Sequence, residues 1–340
     1  MIFYDVTKSA AARQRSGLVR VNRRLREELG DAVRESVWPA PGAEAKAGDW
    51  WVTTELFSEE ERPGLGEFLR TRRCRAGAVF HDAIPLKLPH ITWPLAVARH
   101  PGYLKLLAQF DRVWAVSRAS REELLGYWRW LGLEAVPPVE VLPLGADFER
   151  TPRVTAPARD GVTPALLSVG ILEPRKNQAF LLDVCEELWG EGLRFELHLV
   201  GRVNPNFGRP LAARIRVLAK KNPQLCYHDA ADDAALTALY TGARATVLPT
   251  LAEGCGLPLL ESLWAGVPCV CSDLPVLREN ADGGGCIAAA VNDRAAWKAA
   301  LRGVLTDGAL VARLAAEARS RALPTWAGTA AALRASLAQS

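Results

Sequence analysis

The stretch ATVLPTLAEGCGLPLLESLWAGVP, residues 245–268, contains an apolar run, a glycine-rich turn and a largely apolar helical pattern. Residues 245–248 show little alternation, as expected for a parallel strand that is covered on both faces. Gly254 and Gly256 allow a sharp turn and a close approach of a ligand to the backbone. Pro258 suits the first position of a helix, which Gly266 then ends. This stretch therefore predicts one strand–turn–helix unit of a parallel α/β sheet.

Two carboxylates flank the turn, Glu253 before it and Glu261 in the expected first turn of the helix. Helix N-termini present unpaired N–H groups and about half a positive charge, which favour a phosphate or a sugar oxygen. In open α/β sheets, ligands bind beyond the carboxyl ends of the strands, where this turn lies. Glu261 is expected either to benefit from the helix dipole or to face the hydroxyl groups of a ligand. We therefore expect an anion pocket with a carboxylate beside it, and a diphosphate next to a sugar is the first ligand to consider.

The composition indicates a soluble globular protein of two domains. The chain has 340 residues, of which 49% are hydrophobic and 24% are charged. It contains no apolar run of about 18 residues, the length of a membrane span. The start MIFYDV predicts a strand rather than a signal peptide. We expect a cytoplasmic protein, with peripheral contact to the inner face of the membrane as an open alternative.

Cysteine and histidine usage gives no indication of a metal site. The seven cysteines are odd in number and lack paired C-x-x-C spacing, and the five histidines are scattered. We expect buried, reduced thiols and no zinc site. The cysteines are Cys74, Cys185, Cys226, Cys255, Cys269, Cys271 and Cys286.

The net charge of +4 gives no reason to expect nucleic-acid binding, although arginines are clustered locally. Two readings of these clusters stay open, a solvated helix face and a surface for an anionic acceptor or an acidic membrane. The first cluster is Arg13, Arg15, Arg20, Arg23, Arg24 and Arg26, and the second is Arg70, Arg72, Arg73 and Arg75.

Strand patterns alternate with helical patterns along both halves of the chain, which indicates two doubly wound Rossmann-like domains facing an interdomain cleft. The predicted strands are 1–6, 50–54, 77–80, 112–116, 139–142, 165–169, 195–200, 225–228, 245–249 and 269–272. The predicted helices include 18–29, 177–189, 209–221, 232–241 and 327–338. We expect an N-terminal domain over 1–150, a Pro-rich linker over 151–164, a nucleotide-binding domain over 165–325, and a C-terminal helix over 326–340 that returns to the N-terminal domain.

The segment at 253–261 and five further segments occur in an order that resembles glycosyltransferase family 4, retaining enzymes of the GT-B fold. EGCGLPLLE (253–261) is similar to the E-x7-E motif of that family, and SVGILEPRKN (168–177) to its phosphate-binding segment. VFHDAIP (79–85) resembles its His-Asp-x-Ile-Pro loop. VWAVSRASREEL (113–124) and VLPLGAD (141–147) resemble the segments that close its first domain. YDVTKSAAARQRSGLVRV (4–21) resembles the first loop of bacterial polysaccharide mannosyl- and rhamnosyltransferases.

The resemblance implies a role for each matching residue. As residues of the catalytic centre, Glu253 and His81 would face the donor sugar, while Arg175 and Lys176 would hold the diphosphate. Glu261 would bind the ribose hydroxyls. The remaining donor-binding set would be Gly254, Cys255, Gly256, Leu257, Gly170, Gly17 and Asp82. Within this set, the amides of residues 255–257 contact sugar or diphosphate, Gly17 lets the first loop approach phosphates and acceptor, and Asp82 contacts the donor or only holds its loop.

The implied reaction moves a hexose from a nucleotide-diphosphate sugar, GDP-mannose as the first candidate, to a glycan or lipid-linked glycan. Arginine and lysine suit a diphosphate leaving group, whose charge grows as the bond breaks. Asp229, Asp232 and Asp233 resemble a turn with a helix cap more than a metal motif, so we expect no metal and no cofactor. dTDP-rhamnose and UDP-sugars stay open as donors. The alternatives are an epimerase or hydrolase of nucleotide sugars, and a non-catalytic nucleotide- or glycan-binding protein.

Overall fold

The computed structural model describes residues 1–11, 16–39, 41, 44–148, 151–154, 163–229 and 231–339. The chain forms two compact units, unit 1 with Met1–Gly145 and Pro324–Ser340, and unit 2 with Ala146–Leu323. Each unit contains a six-stranded sheet, and every strand pair in both sheets is parallel. The predicted α/β class with two doubly wound halves is therefore confirmed. Most of the predicted linker, residues 155–162, lies outside the described residues.

Unit 1 has the strand order β2-β1-β3-β4-β5-β6. Its strands are β1 (Ile2–Asp5), β2 (Val33–Ser36), β3 (Trp50–Thr53), β4 (Arg75–Phe80), β5 (Arg112–Ala115) and β6 (Val139–Val141). Its first helices are α1 (Gly17–Leu29), α2 (Leu65–Thr71), α3 (Ile84–Lys87), α4 (Pro94–Leu107) and α5 (Arg118–Trp130). The core is rich in aromatic rings, with Trp51, Phe57 and Phe110 packed against one another.

Unit 2 has the strand order β12-β11-β10-β7-β8-β9. Its strands are β7 (Ala165–Val169), β8 (Glu196–Val200), β9 (Leu225–His228), β10 (Ala245–Leu248), β11 (Cys269–Ser272) and β12 (Cys286–Ala289). Its helices are α6 (Gln178–Gly190), α7 (Arg209–Lys221), α8 (Asp233–Gly242), α9 (Leu257–Trp264), α10 (Pro275–Ala281), α11 (Arg294–Thr306) and α12 (Gly308–Ser320). The core is mostly leucine and valine from β7, β8, β10, α6 and α11.

Each sheet reverses its direction of winding next to its first strand. In unit 1 the chain passes from β1 to β2 on one side and then to β3 on the other, and in unit 2 β8 and β10 flank β7 in the same way. The loops that leave the two strands at such a switch point run to opposite faces of the sheet, and the crevice between these loops is where doubly wound folds bind ligands. Ligand sites are therefore expected at the loops after β1 and β3 in unit 1, and at the loops after β7 and β10 in unit 2.

The last helix, α13 (Trp326–Ala338), belongs to unit 1 and packs along α1. Trp326 is fully buried, and a Cβ atom on Gly145 would lie 2.3 Å from its backbone nitrogen. Further along, the Ser336 hydroxyl accepts a hydrogen bond from the indole of Trp114 at 2.9 Å. Thus α13 completes the core of unit 1 although it is distant in sequence.

Candidate functional site

The loops that follow β7 and β10 are joined at the switch point of unit 2. The carbonyl oxygen of Arg175 accepts hydrogen bonds from the amide of Leu251 at 2.8 Å and from the hydroxyl of Thr250 at 3.1 Å. Asn177, in a left-handed conformation, donates through its amide to the carbonyl of Pro249 at 3.0 Å. The segments predicted to bind diphosphate and sugar are therefore held together by hydrogen bonds to backbone carbonyl groups.

A largely buried ion cluster lies on these two loops. The carboxylate of Glu253 accepts from Lys176 Nζ at 2.6 Å and from the Arg175 guanidinium at 3.2 Å. The same guanidinium binds Glu173 at 2.7 Å, and Glu173 also accepts from the side-chain amide of Asn204 at 3.0 Å. Two cations are thus balanced by two carboxylates, so the predicted diphosphate-binding residues are neutralised by the chain's own side chains.

Burial and charge within the cluster shift the pKa values of Glu253 and Lys176. Burial alone would raise the pKa of Glu253, but the charges of Lys176 and Arg175 outweigh it, so this pKa lies below its ordinary value of 4.5. Burial lowers the pKa of Lys176, and the charge of Glu253 opposes that shift. The Glu253 carboxylate lies 2.6 Å from the Lys176 ammonium group, a contact that favours the charged form of both groups. Lys176 and Glu253 therefore form an ion pair within the cluster.

The prediction that Glu261 lies in the first turn of the helix is wrong. Helix α9 begins at Leu257, so Glu261 is its fifth residue and Pro258 its second. Glu261 is buried, and its carboxylate accepts a hydrogen bond from the hydroxyl of Tyr240 at 2.8 Å. The helix dipole, which acts in the first turn, therefore does not account for a carboxylate at this position. The hydroxyl of Tyr240 instead holds the carboxylate in one orientation. Tyr240 is itself buried on α8, and no local sequence pattern pointed to this contact.

The glycine-rich turn places Gly254, Cys255 and Gly256 between β10 and α9. Gly256 has a φ of 79°, a backbone conformation that side chains rarely adopt. Asn280, which sequence reasoning missed, donates its side-chain amide to the carbonyl of Cys255. Burial, with the nearby charge of Glu253 next, raises the pKa of the Cys255 thiol to about 12, so the thiol is not a nucleophile.

Gly170 lies directly beneath this cluster. A Cβ atom on Gly170 would lie 3.3 Å from the aliphatic stem of Lys176. A Cβ on Gly201, which was not predicted, would lie 2.2 Å from the carbonyl oxygen of Gly170. The two glycines therefore let the loops after β7 and β8 pack closely under Lys176.

In unit 1, His81 and Asp82 follow β4. His81 is buried, and its Nε2 lies 2.7 Å from the carbonyl oxygen of Thr54. Burial lowers the pKa of His81, so the ring is neutral, and Nε2 must carry the proton because a carbonyl only accepts. Nδ1 is then the acceptor. Asp82 Oδ1 accepts from the amide of Ile84 at 2.9 Å, so its carboxylate holds the loop.

Gly17 is the first residue of α1, and Ser16 caps that helix by accepting from the amide of Val19. A Cβ atom on Gly17 would meet nothing within 4 Å. Packing of the described chain therefore does not require glycine here.

The arginines of the two clusters are largely engaged within unit 1. Arg24 is buried beside Glu27 and Glu28, and Arg26 pairs with Glu35. In the second cluster, Arg72 pairs with Asp111 at 2.8 Å, and the Arg75 guanidinium lies over the Trp50 ring. These contacts favour a structural role for the arginines they involve. Arg13 and Arg15 lie outside the described residues.

The predicted helix caps and thiols can also be placed. Ser117 caps α5, and Asp232 caps α8 as expected from the turn over residues 229–233. All seven cysteines are free, but Cys226, Cys255 and Cys286 are only partly buried, which corrects the expectation that all are buried. Within the described ranges, no three His, Cys, Asp or Glu side chains are grouped in a way that could hold a metal ion. In the same part of the chain, no helix has both the length and the apolarity needed to span a membrane.

Comparison with known proteins finds a family match within unit 2. Residues 163–307 match the family described as "Glycosyl transferases group 1". The serotype-specific mannosyltransferase WbdA of Escherichia coli is 31% identical over 224 residues, which are 62% of this chain and 27% of that protein. The chain therefore spans little more than a quarter of the length of this curated relative.

Solved structures agree with the fold of both units. HepE of Anabaena, in complex with UDP and glucose, has a TM-score of 0.70 at 14% identity, over 100% of this chain and 99% of that one. Sucrose-phosphate synthase of Thermosynechococcus elongatus has a TM-score of 0.67 at 20% identity, over 85% and 73%. The expected GT-B fold and the resemblance to bacterial mannosyltransferases are confirmed, and residues 163–307 of unit 2 match the glycosyl transferases group 1 family.

Proposed function

We propose that this chain, which carries a glycosyl transferases group 1 domain, moves a hexose from a nucleotide-diphosphate sugar to a glycan or lipid-linked glycan in surface polysaccharide synthesis. One observation carries the proposal. The loops after β7 and β10 meet at the switch point of unit 2 and bring Arg175, Lys176 and Glu253 into one largely buried cluster. Buried cations beside a glycine-rich turn suit a diphosphate leaving group.

In the proposed binding step, a diphosphate replaces one of the carboxylates that pair with the two cations. A diphosphate that reaches Lys176 and Arg175 replaces Glu253 as their partner, because both anions compete for the same donor groups. The released carboxylate of Glu253 then accepts hydrogen bonds from the hydroxyls of the donor sugar. As the bond to the sugar breaks, charge grows on the phosphate oxygens and strengthens their contacts with the two cations.

Two further residues orient the substrates. Glu261, held by Tyr240, accepts from the ribose hydroxyls of the nucleotide. His81 is neutral with its proton on Nε2, so its Nδ1 accepts from a substrate hydroxyl rather than donating to phosphate. This assigns His81 to hydrogen bonding of a hydroxyl, not to charge stabilisation.

The donor we propose is GDP-mannose. The curated relative WbdA is a mannosyltransferase at 31% identity, and EPRKN with the first loop resembles bacterial mannosyltransferases. Transfer proceeds with retention at the front face, the leaving phosphate helping to deprotonate the acceptor hydroxyl, without a metal ion. A lipid-linked acceptor places the reaction at the inner face of the membrane.

The test is a transfer assay with GDP-mannose and lipid-linked oligosaccharide acceptors. We expect a mannosylated product with the anomeric configuration of the donor, in equal yield with and without EDTA. An inverted product would contradict retention, and loss of activity in EDTA would contradict metal independence. Incubation of the donor alone separates the alternatives, since an epimerase gives an isomer and a hydrolase gives free sugar. Parallel assays with dTDP-rhamnose and UDP-glucose test the choice of donor.

A further inference from the structure

The guanidinium of Arg175 is held on two edges by groups from two loops. Its Nε and Nη2 atoms donate to Glu173 Oε1 at 3.1 Å and 2.7 Å. Its Nη1 atom donates to the carbonyl oxygen of Ala252 at 2.9 Å and to Glu253 Oε2 at 3.2 Å. Glu173 lies on the loop after β7, whereas residues 252 and 253 lie on the loop after β10. Because the guanidinium is planar and rigid, contacts on two edges fix its orientation.

Glu173 is itself held at its second carboxylate oxygen. The side-chain amide of Asn204 donates to Glu173 Oε2 at 3.0 Å. Oδ1 of Asn204 accepts from the backbone amides of Asn206 and Phe207, so turning the side-chain amide over would break both hydrogen bonds. The backbone amide of Asn204 donates to the carbonyl oxygen of Leu172 at 3.1 Å, which attaches its loop to the loop after β7. The carboxylate of Glu173 is therefore fixed from outside the ion cluster.

The two carboxylate partners of Arg175 differ in what a bound diphosphate would do to them. Glu253 contacts Nη1 and also accepts from Lys176 Nζ at 2.6 Å, so it occupies the place that the proposed function gives to the diphosphate. Glu173 contacts the other edge of the guanidinium, through Nε and Nη2. A diphosphate that replaces Glu253 therefore leaves the pair of Glu173 and Arg175 in place.

We infer that Glu173 is a positioning residue, which holds the Arg175 guanidinium in its orientation while a diphosphate takes the place of Glu253. Asn204 supports this role by fixing the carboxylate of Glu173. The inference rests on the proposed function, in which Arg175 contacts the diphosphate and Glu173 acts only through Arg175. A cation that is already oriented needs no rearrangement when charge develops on the phosphate oxygens.

Charge and position predict opposite results when Glu173 is replaced. The side chain of Glu173 is 17% exposed, so water screens its repulsion of a diphosphate only in part, and loss of its charge alone would strengthen binding. Loss of position would weaken binding. Glu173→Gln removes the charge and places an amide N–H group opposite Arg175 or Asn204, both of which are donors. We expect the Kd for GDP, measured by calorimetry on the full chain, to rise about fivefold in this variant.

Two further variants complete this test. Glu173→Asp keeps the charge but shortens the side chain, so the Kd for GDP should rise here too. Glu134→Gln, at an exposed position of unit 1, is the control for net charge and should bind GDP as wild type does. Unchanged or tighter binding of GDP by Glu173→Gln would overturn the inference. A purely stabilising role of Glu173 would lower the melting temperature and leave the Kd unchanged, which would also count against it.

A variant of Asn204 tests the same role without changing any charge of the cluster. Asn204→Ala removes the amide that holds Glu173, so the Kd for GDP should rise about twofold to threefold. Asn206→Ala, on the same loop, is the control and should bind as wild type does. In the double variant with Glu173→Gln, Asn204→Ala should add no further weakening, because Asn204 acts through Glu173. Additive effects of the two substitutions would contradict the inference.

The wild-type titration separates this inference from the proposed function. GDP, UDP and dTDP are titrated in parallel, because the base of the donor is part of the proposed function. If wild type binds none of the three, the proposed function is refuted, and the role of Glu173 with it. If wild type binds one of them and the variants at positions 173 and 204 bind it equally well, the proposed function stands and only the inference is overturned.

Discussion

Glu253 is the residue on which the proposed donor site depends most. It lies between Lys176 and Arg175 and is only 8% exposed at its side chain, so it offsets two cations that water cannot reach easily. Removing one partner of a buried ion pair leaves an uncompensated charge, which costs more than the pair itself contributes. Glu253 therefore stabilises the protein and, in the proposed function, would give up these partners to a diphosphate.

Glu253→Gln should lower the free energy of unfolding at pH 7 by about 3 kcal/mol. Because the pKa of Glu253 is lowered by folding, its contribution is present above its ordinary value of 4.5 and is lost as the pH falls through the lowered value. The difference between wild type and variant should therefore shrink in acid. Urea denaturation at pH 7 and pH 3.5 measures this, with Glu44→Gln as control because Glu44 is exposed and lies 3.9 Å from Arg34. A constant difference at both pH values would contradict the account.

At this scale the sequence predicted which residues lie together better than which groups each of them contacts. Arg175, Lys176 and Glu253 were expected to act together, and the structure brings them together. The contact of Glu261 with Tyr240 was not predictable, because it joins residues 21 positions apart on two helices. Glu173 was passed over although it lies in the quoted segment, since only the fold shows that it neutralises Arg175.

Among the elements, the two strands that were missed both lie at the edge of a sheet. The predicted strands 165–169, 225–228 and 269–272 agree with the structure to the residue, although 225–228 is itself the edge strand β9. The edge strands β2 and β12 were missed. Arg34 and Glu35 of β2 are exposed, so β2 presents no apolar run. β12 is apolar, but two of its four residues are alanine, which is depleted in strands.

The turn before α9 gives a prediction for the element scale. Gly256→Ala should destabilise the protein by about 1–2 kcal/mol, because an L-residue at positive φ is strained. Its Cβ would also lie 2.6 Å from the side chain of Leu277, forcing that side chain to shift. Gly242→Ala on α8 meets nothing within 4 Å and is the matched control, expected to be neutral or stabilising. Equal melting temperatures for the two variants would contradict the assigned role of Gly256.

Across the whole molecule, the same arrangement occurs at the switch points of both units, where an arginine lies between two carboxylates. In unit 1 the arginine is Arg62, and in unit 2 it is Arg175, where Lys176 supplies a second cation. Strand–helix alternation is a local pattern, so the two α/β units were predictable from the sequence. The charge balance of each switch point was not predictable from the sequence, because it depends on side chains from separate loops.

The C-terminal helix gives a prediction for the whole molecule. Trp326→Ala should lower the free energy of unfolding of unit 1 by about 3–5 kcal/mol, the usual cost of removing a buried Trp. The indole is 1% exposed and packs against Gly145. Arg334→Ala on the exposed face of the same helix is the control, expected within about 0.5 kcal/mol of wild type. An unchanged unfolding curve for Trp326→Ala would show that α13 does not contribute to the core of unit 1.

The central claim is that unit 2 binds a nucleotide-diphosphate sugar between the loops after β7 and β10. Calorimetric titration of the full chain with GDP-mannose tests it most directly, using wild type, Glu261→Gln and Tyr240→Phe. We predict binding of one donor per chain, weakened about tenfold or more by Glu261→Gln and less by Tyr240→Phe, which removes only the hydroxyl that orients the carboxylate. Undiminished affinity in Glu261→Gln, or no binding of any nucleotide-diphosphate sugar to wild type, would contradict the claim.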